Sequence, residues 1–431
     1  DKSPEGKIVE VLGTKGEPGV DIKCIVRKYG LNEIFPPKVE KEANAIPAQV
    51  RADEVKGRRD LRDLLMVTID GDDAKDLDDA VTISRTENAY RLGVHIADVS
   101  HYVKEGTALD QEAFQRGTSV YLVDRVLPML PPRLSNGICS LNAGEDRLAM
   151  SVLMDIDAEG DTVNYEIFKS VIRVKERMTY NNVNLILKER EPELMQRYHE
   201  YVDMFKTMQE LAAILRQRKF NRGALDFEFP ETKVILDEQG NPVAIEKRKQ
   251  DVAESIIEEF MIRANEVVAS HCNEMKLPTL YRVHEKPDDE DLDNVVRILA
   301  FFNRRLNKKK VTPEVLQQVL SGVKGKPEQR IISTMILRSL KHARYSPVPL
   351  GHYGLASPYY LHFTSPIRRY PDLLVHRVLT HLLEKGSLSG KKKAQWESLM
   401  PLAGEQCTSR EMQAEEAERE SVDIKAAQYM K

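Results

Sequence analysis

"TIDGDDAKDLDDAV", residues 68–81, places six aspartates within the ten positions 70–79, directly after the apolar run 64–67. The apolar segment "AVTIS" follows, so the acidic run is flanked by predicted strands and lies at the edge of a core. Burying an ionised carboxylate without a partner is costly and raises its pKa. A divalent cation removes that cost, and oxygen ligands on a short loop suit Mg²⁺ or Mn²⁺.

Two other interpretations of this run compete with metal binding. An EF-hand loop beginning at Asp70 would need oxygen donors where the chain has Ala74 and Val81, so it does not fit. A solvated acidic turn is the commoner explanation for a run of charge. The apolar segments on both sides favour metal binding over that turn.

A second segment offers a partner for the metal. "YYLHFTSPIRRYPDLLVHR", residues 359–377, sets Arg368 and Arg369 just before a predicted helix. Arginine grips phosphate with two donors, and a helix start adds free N–H groups. An ordinary helix cap with surface arginines explains the segment equally well when it is taken alone. Beside a predicted metal site, phosphoryl transfer is favoured.

Weaker signals fit a polynucleotide substrate. Tyr121 and Tyr281 each lie near a turn and could present a ring on which a base stacks, although an isolated tyrosine is more often part of the core. Basic residues cluster at 304–310 and 391–393 and could follow a phosphate backbone, although lysine-rich loops are usually only solvated. No histidine is assigned a catalytic role.

The composition limits the class of protein. The chain has 431 residues, 41% of them hydrophobic, and a formal net charge of −4, which neither requires nor excludes a polyanionic partner. Its four cysteines form no CxxC pair, which argues against a zinc site and favours a reducing, cytoplasmic location. No apolar run approaches a membrane span. Nothing suggests an obligate interface, so a monomer is expected.

The secondary-structure pattern predicts an α/β (α+β) fold. Short β-rich runs alternate with turns to about residue 180, and helices dominate afterwards. "KIVEVL", residues 7–12, predicts a strand, and residues 384–393 predict a Gly/Ser/Lys linker. The last 25 residues predict a charged helix with little apolar stripe. We expect a mixed, mostly antiparallel sheet wrapped by helices, with the aspartates and Arg368 meeting in a narrow channel.

The aspartate run 68–81 and the segment 359–377 occur together with "GTSVYLVDRVLPMLP" and "LYRVHEKP". In order and spacing, these four motifs resemble the catalytic (RNB) domain of the ribonuclease II and ribonuclease R superfamily. "LSNGICSLN", the Gly-Asp pair after Asp70 and the opening "PEGKIVEVLG" look most like bacterial ribonuclease R. The resemblance covers residues 1–425.

The resemblance implies an RNA-degrading enzyme. It would be a processive 3′ to 5′ exoribonuclease that hydrolyses single-stranded RNA to 5′-mononucleotides with two Mg²⁺ ions, Mn²⁺ being an alternative. The residues at the family's functional positions are as follows: metal ligands Asp70, Asp76, Asp78 and Asp79; catalytic residues Asp78 and Arg368; RNA contacts Tyr121, Tyr281, Arg368 and, in a supporting place, Arg369. Asp72 and Asp73 match no catalytic position.

The same resemblance divides the chain into four parts. Residues 1–15 would be the last strand of a truncated cold-shock/OB domain, 16–55 a connector with a helix, and 56–390 the RNB catalytic domain. Residues 391–431 would be a charged helix leading to an absent OB-fold RNA-binding domain. Two alternatives stay open, a catalytically idle RNA-binding relative and a phosphatase or deoxyribonuclease. The filled acidic positions count against the first.

Overall fold

A computed structural model describes residues 6–14, 16–227, 231–248, 250–302, 304 and 311–430. The strands are β1 (Arg59–Asp60), β2 (Val67–Asp70), β3 (Asp79–Arg85), β4 (Tyr90–Ala97), β5 (Val120–Tyr121), β6 (Val126–Leu127), β7 (Asp146–Ile156), β8 (Thr162–Arg173), β9 (Glu176–Thr179), β10 (Glu231–Leu236), β11 (Pro242–Arg248), β12 (Tyr281–Val283) and β13 (Arg344–Ser346).

The helices are α1 (Val20–Lys28), α2 (Pro37–Ala45), α3 (Ala52–Val55), α4 (Val99–Tyr102), α5 (Ala108–Arg116), α6 (Tyr180–Asn184), α7 (Pro192–Arg197), α8 (His199–Asn221), α9 (Val252–Glu274), α10 (Asp289–Phe301), α11 (Pro313–Val323), α12 (Gln329–Ser339), α13 (Tyr370–Lys385) and α14 (Gly390–Tyr429). Strands prevail before residue 180 and helices after it. The mixed α/β class predicted from the sequence is confirmed.

A seven-stranded mixed sheet forms the centre of the fold, in the order β1-β8-β7-β4-β3-β2-β9. Its pairs are antiparallel except for β1 with β8 and β2 with β9. The parallel pairing of β2 with β9 sets Thr68 opposite Arg177 and Asp70 opposite Thr179. Residues far apart in sequence therefore lie side by side at the end of β2.

The interior of the sheet is tightly packed. β4 is buried at seven of its eight positions. At Gly93 in this strand, a Cβ atom would overlap the side chains of Thr82 and His95, so only glycine fits. Most core side chains belong to one cluster that includes the inner faces of α8, α9 and α13. Helices α10 to α12 share a separate small core around Leu299 and Leu316.

Two local predictions at the ends of the chain are wrong. Residues 7–12 form no strand, and Ile8, Val9 and Val11 are 82%, 92% and 81% exposed, because no described strand pairs with them to form a ladder. The predicted linker 384–393 is shorter, since α14 already begins at Gly390 with Ser389 as its N-cap.

The last helix is also more buried than its charge suggested. Ala414 and Ala417 of α14 pack against the cluster around Ile22 and Val120, and Ser421 is fully buried. Small side chains let neighbouring elements approach closely, so burial here does not need a stripe of large apolar residues. Lys425, also buried, forms an ion pair with Asp21 of α1 at 2.7 Å.

Candidate functional site

The aspartate run connects β2 and β3, which are neighbouring strands of the sheet. β2 ends at Asp70, β3 begins at Asp79, and the two strands pair through Val67 and Val81. The chain therefore leaves the sheet and returns to it within nine residues. The four carboxylates predicted as metal ligands, those of Asp70, Asp76, Asp78 and Asp79, all line one cavity of about 650 Å³.

Residues 359–377, called the arginine segment below because they include Arg368 and Arg369, contact the aspartate loop. Nearly 300 residues separate the two in the sequence. The backbone N–H of Ile367 donates to Asp78 Oδ1 at 2.8 Å. Arg368 Nε lies 3.6 Å from Asp78 Oδ2, and Arg368 Nη2 donates to Ser365 Oγ at 3.0 Å. The Arg368 side chain is 46% exposed, so its guanidinium faces the cavity and also balances the buried carboxylate.

The electrostatics of the carboxylates disfavour several adjacent negative charges. Burial raises the pKa of Asp78 well above its usual range, although the Arg368 charge opposes the shift. Burial and the neighbouring Asp70 charge raise the pKa of Asp79 to about 7. Burial also raises the pKa of Asp70. A cationic ligand would restore the ionised forms.

These residues fit a divalent cation by their chemistry. Asp78 Oδ2 is buried and receives no hydrogen bond from any described residue. In the described part of the chain, no three His, Cys, Asp or Glu side chains converge as a ready metal cluster. Mg²⁺ commonly takes only one or two carboxylates and completes its shell with water and phosphate. Four carboxylates around an open cavity suit that mode of binding.

Tyr121 lies at the rim of the same cavity. Its hydroxyl donates to Asp76 Oδ2 at 2.9 Å, and its backbone N–H donates to Glu418 Oε1 at 2.6 Å. The residue is 39% exposed. A ring held at both its backbone and its hydroxyl, and open to the cavity, is suited to stacking on a base.

Two other predicted RNA contacts are placed differently. Tyr281 is 4% exposed, because it packs in the main core cluster, and it does not line the cavity, so the structure does not support a stacking role. Arg369 borders the cavity, but its guanidinium donates to both carboxylate oxygens of Asp372 at 2.9 and 2.8 Å. Its donors are thus used within the protein, and the supporting place expected for it fits better than RNA contact.

Several cavity residues were not singled out in the sequence. Glu254 and Glu258 of α9 line it, as do Tyr180 and Asn265. The two glutamates are four positions apart and hence on one helix face, a spacing that could have indicated them beside the apolar stripe of α9. The amide of Asn265 accepts from the Phe363 N–H at 2.9 Å. That contact joins α9 to the arginine segment and depends on the tertiary fold.

The predicted basic clusters give little support for a phosphate track. Lys392 pairs with Glu105 and lies over the Trp396 ring, while Lys393 is 3.9 Å from Glu397. Arg304 donates to the Gly322 carbonyl at 3.0 Å. The rest of that cluster, 305–310, lies outside the described residues.

None of the helices in the described part of the chain combines the length and apolar character that crossing a bilayer requires.

Comparison with known proteins assigns the chain to a family. The RNB domain matches residues 58–385 and the cold shock domain matches residues 1–36. The ribonuclease R of Thermotoga maritima is 50% identical over 435 residues, which cover 100% of this chain and 61% of that protein. The chain thus spans less than two thirds of that curated relative.

Two solved structures share the fold. The ribonuclease R of Mycoplasma genitalium in complex with ribose-methylated single-stranded RNA superposes with a TM-score of 0.91 at 30% identity, covering 98% of this chain and 66% of the other. The same enzyme with double-stranded RNA gives 0.92 at 31% identity, covering 98% and 75%. Because the RNB match extends over most of its length and the fold agrees, the chain belongs to the RNB family.

Proposed function

We propose that this chain is a metal-dependent exoribonuclease that degrades single-stranded RNA processively from its 3′ end and releases 5′-mononucleotides. The observation that carries the proposal is the meeting of Asp78 and Arg368. A buried carboxylate, one oxygen of which receives no hydrogen bond from a described residue, lies 3.6 Å from a half-exposed guanidinium, in a cavity that four further aspartates line. The relatives named ribonuclease R, one of them solved with RNA, support the substrate.

The chemistry follows from the residues around the cavity. We propose Asp70, Asp76, Asp78 and Asp79 as the ligands of two Mg²⁺ ions, with Mn²⁺ as a substitute. RNB ribonucleases are metal-dependent enzymes. Bound cations of this kind supply an activated water molecule and neutralise charge on the leaving oxygen.

The protein groups then orient the RNA. Arg368 presents a charged planar donor to the scissile phosphate, where negative charge increases in the transition state. The Ile367 N–H donates a hydrogen bond to Asp78 Oδ1 and so holds this carboxylate in place. Tyr121 offers a ring on which the terminal base stacks, and stacking accepts any base. A site that accepts every sequence suits an enzyme of general RNA degradation.

The setting of the protein is part of the same proposal. We propose a cytoplasmic, monomeric protein whose partner is single-stranded RNA. All four cysteines are free thiols in this structure, which fits a reducing compartment.

The test is a time course on a 5′-labelled single-stranded RNA. Wild-type chain is compared in Mg²⁺ and in EDTA with the variants Asp78→Asn and Asp72→Asn, alongside a DNA strand of the same sequence. Asp72 is the matched control, since it is exposed, belongs to the same loop and does not line the cavity.

We expect the label to pass directly to a short terminal product with RNA, Mg²⁺ and an intact Asp78. Asp72→Asn should retain this activity. Binding without cleavage under every condition would instead indicate an idle RNA-binding relative. Turnover of DNA or small phosphoesters would indicate the phosphatase or deoxyribonuclease alternative.

A further inference from the structure

Arg177 grips the backbone of the aspartate loop. Its Nη2 lies 2.7 Å from the carbonyl oxygen of Ala74, 3.1 Å from that of Asp72 and 3.4 Å from that of Gly71. Irregular loops lack the repeated hydrogen bonds of helices and strands, so their carbonyls need partners from elsewhere. One guanidinium here serves three carbonyls of the segment that links two proposed ligands, Asp70 and Asp76.

Ser140 holds the other end of the loop. Its buried hydroxyl donates to the Lys75 carbonyl at 2.8 Å and accepts from the Leu77 N–H at 3.1 Å. The Leu141 N–H adds a bond of 3.0 Å to the Leu77 carbonyl. The loop is therefore fastened on both sides by residues that have no atom lining the cavity.

The contacts of the Arg177 guanidinium differ from those of most partly buried arginines of this protein, which form ion pairs. Within the described part of the chain its guanidinium forms no ion pair, and its bonds go to carbonyl oxygens only. The positive charge thus acts on the loop as a whole. These contacts favour a loop with its carboxylates turned to the cavity.

We propose that Arg177 and Ser140 are positioning residues that fix residues 71–77 so that the carboxylates of Asp70 and Asp76 stand ready for a divalent cation. This inference rests on the proposed metal-dependent function. The residues touch neither cation nor RNA and act through the backbone of the loop. Loss of either should weaken cation binding before it affects the chemical step.

Binding of Mn²⁺ to the chain without RNA provides the test, followed through the electron paramagnetic resonance signal of the free ion. The variants are Arg177→Lys and Ser140→Ala. Lysine keeps the charge, but its shorter side chain does not carry a nitrogen to the position that Nη2 occupies among the three carbonyls. The matched control is Arg173→Lys, an exposed arginine of β8 paired with Asp146. Thermal unfolding of every variant is recorded in parallel.

We expect the Mn²⁺ dissociation constant to rise by roughly tenfold or more in Arg177→Lys, a range typical of residues that orient metal ligands from outside. Ser140→Ala should shift it in the same direction, and Arg173→Lys should leave it unchanged. The Mg²⁺ concentration for half-maximal RNA cleavage should rise in parallel. Saturating Mg²⁺ should largely restore the rate.

Unchanged Mn²⁺ affinity in both folded variants, with only a lower melting temperature, would overturn the inference and leave Arg177 a purely structural residue. Ser140→Ala decides the matter if Arg177→Lys does not fold. Failure of the proposed function looks different, because the wild-type chain itself would then bind no Mn²⁺ and leave RNA intact.

Discussion

Arg368 and Arg369 are neighbours in sequence, but they have different surroundings. Arg369 is bound to Asp372 through two hydrogen bonds, and its side chain is only 19% exposed. Arg368 is 46% exposed and lies beside Asp78. N–H groups that donate hydrogen bonds to a carboxylate, as two of Arg369 do, are not free to bind phosphate, whereas Arg368 lies 3.6 Å from Asp78 Oδ2 without a hydrogen bond to it. The division of roles follows from which arginine reaches Asp372.

Arg368 is proposed to contact the scissile phosphate. If it does, replacing it with glutamine removes a positive charge from that phosphate, and kcat should fall by roughly 100-fold or more, the size typical for loss of one transition-state donor. Single-turnover cleavage at saturating enzyme measures this. Arg344→Gln, also partly exposed and paired with Glu285, is the control. An equal fall in both variants would argue against a special place for Arg368.

Among the elements of the fold, four strands of the sheet are connected by a hydrogen-bonded network of polar side chains. Thr82 of β3 contacts His95 Nε2 at 3.1 Å, His95 Nδ1 contacts Ser151 of β7 at 2.7 Å, and Ser151 contacts Ser170 of β8 at 2.7 Å. His95 is fully buried. The hydrogen bonds satisfy the neutral ring, whereas no carboxylate among the described residues pairs with a protonated one.

The burial of His95 predicts how the stability of the protein depends on pH. Burial lowers the pKa of His95 to about 3, below the 6.5 of an exposed histidine. The unfolded state therefore takes up a proton below pH 6.5 that the folded state excludes, and stability is lost as the pH falls from 6.5 toward 3. Between pH 7 and pH 5 His95 should account for about 2 kcal/mol of lost unfolding free energy.

Urea unfolding of wild type and His95→Gln at both pH values measures this loss. The variant is less stable at pH 7, where it lacks the bonds of the ring, but its further loss at pH 5 should be smaller by that amount. Other histidines whose pKa is lowered by burial, including the partly buried His352, contribute equally to both proteins. The same pH dependence in both proteins would contradict the assignment.

Helix α14 connects distant parts of the molecule. It packs against α1 near the start of the chain and accepts the Tyr121 N–H through Glu418. A single 40-residue helix therefore supports both the first described helix and the rim of the cavity. The composition of its last 20 residues hid this role in the sequence, since the buried positions there are two alanines, a serine and a lysine.

At the scale of the whole molecule, the burial of thiols offers a simple check. Cys24 is exposed, whereas Cys139, Cys272 and Cys407 are buried. Burial raises the pKa of the Cys272 thiol to about 12 and shifts the other two buried thiols in the same direction. Thiolate is the reactive form, so these three should be nearly inert in the native protein.

Titration with an aromatic disulfide reagent should therefore label one thiol quickly in native protein and four in denaturant. Cys24→Ser should abolish the fast phase and leave three slow thiols. More than one fast thiol in the native chain would show that part of the core is open to solvent.

Much of the fold could be predicted from periodicity. β3, β4, β7 and β8 lie where alternating apolar runs indicated strands, and α8, α9 and α13 lie where apolar residues recur at helical spacing. Strand pairing was less accessible, because a period of two tells which residues share a face but not which strand lies alongside. For that reason the parallel contact of β2 with β9, which brings Arg177 to the loop, could not be inferred.

Residue type and local context in the sequence indicate the chemistry proposed for the site. Six aspartates between two apolar runs, and two adjacent arginines before a helix, are typical of a site for metal ions and phosphate. Which of these side chains are available depends on the folded structure. Tyr281 is buried in the core, Arg369 is bound to Asp372, and Arg177 holds the loop from a neighbouring strand. Availability depends on contacts between segments distant in the chain, and local sequence patterns do not encode those contacts.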